Sequence, residues 1–92
     1  MRYWVHADTF DINDLKGKAI KVLEEASEAC EAARSWGGPL GEEQRRRHAL
    51  AECCDVIQAA LNLAVALGAT QAELDRAMED VRRANEERGR YR

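Results

Sequence analysis

Carboxylates stand in this chain where a helical pattern expects apolar side chains. Glu24, Glu25 and Glu28 fall within one turn of a candidate first helix. The pairs Glu25/Glu28 and Glu24/Glu28 have the spacings that share a helix face. Glu52 and Asp55 sit in the most apolar stretch of the chain, among Leu50, Cys53, Val56 and Ile57. Like charges so spaced repel, and burying a carboxylate without compensation is costly. A divalent cation between the two helices would remove both penalties. Carboxylate oxygens are hard ligands that suit Mg²⁺, Mn²⁺ or Ca²⁺, and Mg²⁺ commonly takes substrate phosphates as further ligands. The competing reading is a solvated helix face. With 34% of residues charged, it accounts well for Glu24, Glu25 and Glu28 alone. It accounts less well for Glu52 and Asp55, whose flanks are apolar.

Three helices have to position these groups. From Asp14 to about Ser35, Leu15, Ala19, Val22 or Leu23, Ala26, Ala29 or Cys30 and Ala33 recur at spacings of three and four. Asp11 or Asn13 is placed to cap this helix. Trp36-Gly37-Gly38-Pro39, extended by Gly41, ends it. Phe10, Ile12 and Leu15 are placed to pin the arm of residues 1–13 onto the core. A second helix starts near Glu42 or Glu43 and runs to Leu67, with Gly68 as its left-handed terminator. From Ala49 onward it is apolar on most faces and therefore needs cover on most faces. Two neighbouring helices of one chain supply too little of it, so a dimer is expected. Thr70-Gln71-Ala72-Glu73 reads as a capping box. The third helix then runs to about Arg88, with Leu74, Ala77, Met78, Val81 and Asn85 inward and Gly89 to Arg92 as a frayed tail.

Length and composition narrow the classes. The 92 residues make one domain, and abundant Ala with a single Pro and few aromatics favours an all-α fold. The net charge of −3 excludes a polybasic nucleic-acid binder, and Glu42 and Glu43 make Arg45-Arg46-Arg47 a solvated helix start. No apolar run approaches the ~20 residues of a bilayer span, and residues 1–14 lack a signal-peptide core. Cys30, Cys53 and Cys54 are odd in number and poorly placed for disulfides. A cytoplasmic protein with reduced thiols and no membrane partner is expected. With His6 and His48, these cysteines match no zinc-ligand spacing. Trp4, His6 and Trp36 are the aromatic candidates for stacking on a base, but packing or surface is the preferred reading for each, because Trp usually covers core edges.

The run Glu24-Glu25-Ala26-Ser27-Glu28, followed by Glu52-Cys53-Cys54-Asp55, resembles the E-E-x-x-E and E-x-x-D signature of the MazG-like all-α nucleotide pyrophosphohydrolases. Lys21-Val22-Leu23 before it, Val56-Ile57 after it and Arg83-Ala84-Asn85-Glu86 near the end extend the resemblance over most of the chain. The resemblance implies a three-helix protomer completing a helical bundle as a dimer or a dimer of dimers. It implies Mg²⁺-dependent hydrolysis of a (deoxy)nucleoside triphosphate to monophosphate and pyrophosphate, with Mn²⁺ as a substitute cation. By position, Glu25, Glu28, Glu52 and Asp55 would ligate the metal. Glu24 would be a neighbouring acid or the base for the attacking water.

Lys21, four residues before Glu25, would contact a phosphate or pair with Glu25. Asn85 would bond backbone, a carboxylate or substrate. Arg88 and Arg92 would reach phosphate or complement the helix dipole. Glu86-Glu87-Arg88 departs from the family, where a Lys commonly follows the Asn. Two alternatives share these residues: a phosphoribosyl-ATP pyrophosphohydrolase and a non-catalytic, nucleotide-sensing helical dimer.

Overall fold

A computed structural model describes residues 1–10, 13–39 and 41–91. The chain folds into three helices, α1 (Leu15–Trp36), α2 (Glu43–Ala66) and α3 (Gln71–Glu87), with no strand among the described residues. The all-helical reading and the element bounds agree with the sequence pattern to within a residue or two. Asp11, Ile12, Leu40 and Arg92 lie outside the described residues, and with them the capping, pinning and phosphate roles considered for Asp11, Ile12 and Arg92.

Local chemistry sets the helix ends. The α1 cap is Asp14, whose Oδ1 accepts from the Gly17 N–H at 3.0 Å. Asn13, the other described candidate, precedes the cap. Gly37 ends α1 in the left-handed conformation, φ 74°. A side chain on Gly41 would collide with the Trp36 carbonyl, so glycine permits the tight return into α2. Arg45 reaches back across that return and donates to the Ser35 carbonyl at 3.3 Å. The polar start of α2 is laced by ion pairs: Glu43 takes Arg46 through two bonds, at 3.0 and 3.2 Å.

A Schellman motif closes α2, with Gly68 N–H donating to the Val65 carbonyl and Ala69 N–H to that of Ala64. Thr70 and Glu73 form the expected reciprocal capping box. A second Schellman motif at Gly89 closes α3.

The packed seam overlaps part of the apolar stripe read from the sequence. On α1, Val22, Ala26 and Ala29 of that stripe are covered together with Glu25 and Ala32, whereas Leu15, Ala19 and Ala33 are exposed. The seam takes in a glutamate beside the stripe. Opposite it lie Glu52, Val56, Ala59, Asn62 and Leu63 of α2. Small residues dominate the centre, where Ala32 and Ala59 are the buried apolar side chains.

Among the described residues, α1 with α2 is the only extensive helix–helix contact. The expected inner face of α3 is therefore largely open: Leu74 and Asn85 are half-buried, while Ala77, Met78 and Val81 are exposed.

The arm is held by polar groups. The Phe10 ring is exposed, but its N–H donates to Asn62 Oδ1 at 3.1 Å. Gln58 Nε2 donates to the same oxygen at 3.1 Å and to the Asp8 carbonyl at 3.0 Å. Asn62 is one of the few buried polar residues, and losing it orphans the Phe10 N–H. Asn62→Ala is expected to destabilise the protein by about 1–3 kcal/mol. Hydrogen exchange should show the Phe10 amide losing protection while the centre of α2 keeps it.

Candidate metal centre

Two antiparallel-packed helices bring together acids that are distant in sequence. One carboxylate oxygen each from Glu25, Glu52 and Asp55 lies within 4.8 Å of the others. Glu25 is 7% exposed, Glu52 half-buried and Asp55 exposed, so the cluster opens from the seam towards solvent.

The two more deeply placed acids share one arrangement. Glu25 Oε1 is engaged by Lys21 Nζ at 2.9 Å, and Glu52 Oε1 faces His48 Nε2 at 3.6 Å. Each partner comes from one turn earlier on the same helix. The second oxygen of each acid, Oε2, is buried without a hydrogen-bond partner. An unsatisfied buried acceptor costs about 1–3 kcal/mol, and more when charged. Two such atoms beside a third carboxylate suit a hard divalent cation, which needs several oxygen ligands.

Glu28, expected as the fourth ligand, stands outside the group of three but inside its field. The Glu25 carboxylate raises the Glu28 pKa above the ordinary glutamate range, with smaller contributions from desolvation and Glu52. Glu24 is exposed, with Lys21 Nζ at 3.7 Å. Lys21 thus lies against Glu25 and Glu24, and its pKa is raised, first by the hydrogen bond to Glu25 and then by its charge. Of the two roles read for Lys21, the structure displays the pairing.

Asn85 accepts from Arg90 Nη1 at 2.7 Å, so the amide is engaged within the end of α3. Arg88 is exposed at the C-cap of α3. Among the described residues, no hydrogen bond or ion pair connects α3 to the acidic cluster. His48 is the neighbour of the cluster that the sequence reading weighed only as a zinc ligand. Its spacing of four from Glu52 was the available signal. Trp4 is exposed and Trp36 half-buried at the end of α1. The three cysteines are free and exposed, and none joins a cluster of metal-ligand type among the described residues.

Glu28 supplies a test of the field. Its raised pKa means that the folded state binds a proton more tightly than the unfolded chain. That part of the stability is present at acid pH and falls away as pH rises from the ordinary glutamate value through the folded one. Metal-free Glu28→Gln should therefore melt higher than wild type near neutral pH, and the difference should vanish in acid. Melting curves across pH, in chelator, check this.

No family model, no curated protein and no solved structure matches the chain.

Proposed function

We propose that this chain is a Mg²⁺-dependent nucleoside triphosphate pyrophosphohydrolase, cleaving a (deoxy)nucleoside triphosphate to monophosphate and pyrophosphate at the α1–α2 cluster. One observation carries the reading: Glu25 and Glu52, each with a buried Oε2 that has no hydrogen-bond partner, gather in one cluster with Asp55. The resemblance of Glu24–Glu28 and Glu52–Asp55 to the MazG-like signature supplies the reaction class.

Glu25, Glu52 and Asp55 would hold the cation, with Glu28 beside them. Mn²⁺ fits the same oxygen donors. Bound Mg²⁺ would recruit phosphate oxygens, polarise the phosphorus under attack and acidify a nearby water. Oxygen from water joins the α-phosphorus as the bond to the bridging oxygen breaks, and pyrophosphate leaves. By the resemblance, Glu24 would be a neighbouring acid or the base that accepts the proton the water gives up. The Lys21 ammonium fixes Glu25 Oε1 and, being half-exposed, can also turn to a phosphate oxygen. His48 steadies the Glu52 carboxylate from one turn earlier on α2.

Pyrophosphate release should be measured on a panel of ribo- and deoxyribonucleoside triphosphates together with phosphoribosyl-ATP, with Mg²⁺ or Mn²⁺. Wild type is expected to release pyrophosphate and monophosphate in equal amounts, and only with metal. Glu52→Gln should lose more than about 100-fold in activity, since even outer partners of a metal site cost 10–100-fold. Turnover confined to phosphoribosyl-ATP would replace the substrate assignment. Metal binding with no turnover of any substrate would favour the sensing dimer.

Stability provides a second readout. Mg²⁺ at about 100 times its dissociation constant should stabilise the fold by about 2.7 kcal/mol, a shift of roughly 10 °C or more for a domain of this size. Glu52→Gln should lack that shift.

A further inference from the structure

We propose that the cleft between the arm and α3 is a binding site for a small organic cation of the alkylated ammonium class. The arm is fixed at Asp8 and Phe10 by Gln58 and Asn62, and its first five residues face α3 across a space of about 720 Å³. Small-molecule sites occupy about 300–1,000 Å³. The chain has two Trp, two Tyr and one Phe, and three of these rings, Tyr3, Trp4 and Tyr91, line this one cleft. Both methionines, Met1 and Met78, line it as well.

One half of the cleft already seats a cation. Arg82 Cζ lies 5.7 Å from the centre of the Tyr91 ring, within the ~6 Å over which a ring face attracts a positive charge. Glu86 accepts from the same guanidinium at 3.4 Å. Ring, cation and carboxylate are thus all present at Tyr91. The other half has the ring and the carboxylate without the cation. Tyr3 and Trp4 are 78% and 84% exposed. Glu79, which lines the same cleft, forms no hydrogen bond or ion pair among the described residues. Asp75 is engaged through Oδ1 alone, by Gln71 at 2.8 Å.

The lining selects the guest by charge and by hydration. With Arg82 matched by Glu86, the side chains around the cleft leave Asp75 and Glu79 against Arg2. That balance favours a cation over a phosphate or carboxylate. A metal ion would need several oxygen ligands, and this wall is mostly rings and thioethers. An alkylated ammonium has few or no N–H groups to satisfy, and its methyl groups lie well against aromatic faces and methionine. The cleft is built from the arm and α3, so the inference stands apart from the metal reading.

Choline is the probe, and its uncharged carbon isostere dimethylbutanol is the control. Isotope-labelled protein gives two tryptophan indole N–H signals, and Trp4→Phe assigns that of Trp4. Choline should shift the Trp4 signal saturably in chelator and leave Trp36 in place, while dimethylbutanol should shift neither. Glu79→Gln and Tyr3→Leu should each weaken choline binding by about three- to tenfold, and Arg2→Gln should tighten it. Glu52→Gln should bind choline as wild type does. An isostere that shifts Trp4 as choline does overturns the proposal, because the cleft is then only apolar surface. So does a Trp4 signal that millimolar choline leaves in place, or choline binding that Glu79→Gln and Tyr3→Leu both leave unaltered. Retention on phosphatidylcholine vesicles without a response to free choline also overturns it. Should Tyr3→Leu fail to fold, Glu79→Gln, an exposed change on α3, decides with the isostere.

Discussion

Burial of Glu25 and Glu52 between α1 and α2 is the constraint around which the rest of the molecule is arranged. Each acid has one oxygen met from its own helix, by Lys21 or His48 a turn earlier, and one oxygen sealed in the seam with no partner. A stable domain has only about 5–15 kcal/mol in hand, so two orphaned charged acceptors are a heavy load on so small a core. A cation shared among the acids would relieve both atoms at once, and would also relieve the repulsion that lifts the Glu28 pKa. Folding and metal binding would then be coupled, because the ligand atoms meet only when the helices pack.

The seam also explains why α2 has two characters. Its inward face carries the acids and Asn62, the anchor of the arm. Its outward face is apolar and uncharged, and the single chain leaves it open. Small residues at the centre of the seam, Ala32 and Ala59, bring the helices close enough for the acids to meet. The same small residues bury little apolar area, so a pair of helices gains limited stability by itself.

Much of the fold was legible because helix ends obey local rules. The Thr70/Glu73 box and Gly68 each act through neighbours within five residues, and both stand where the sequence puts them. The α1 seam was only partly legible: Val22, Ala26 and Ala29 are covered as the stripe has them, but apolar periodicity cannot register a buried glutamate, so Glu25 was missed while Leu15 and Ala19 were included. The open face of α3 was illegible for a different reason: the amphipathic pattern is real, but nothing in the pattern says which surface will cover it.

At the site, apolar context singled out Glu52 and Asp55, since a carboxylate among apolar residues is a local signal; Glu25 stood apart from the solvated-face reading of its helix only through the resemblance, and the fold brings one oxygen of each of the three within 4.8 Å. The role of Asn62 emerges only once α2 is set against the arm, whereas the spacing of four between His48 and Glu52 is a signal within one helix. Asn85 read as an inward amide in search of a ligand, yet Arg90 one turn on engages it.

The central claim is that the Glu25, Glu52 and Asp55 carboxylates hold a divalent cation. Calorimetric titration of Mg²⁺ into wild-type protein and Glu25→Gln addresses it most directly, with helicity monitored in both. Saturable binding by wild type and its loss in a still-helical Glu25→Gln is the predicted result. Equal binding by both proteins, or none by a fully folded wild type, would contradict it.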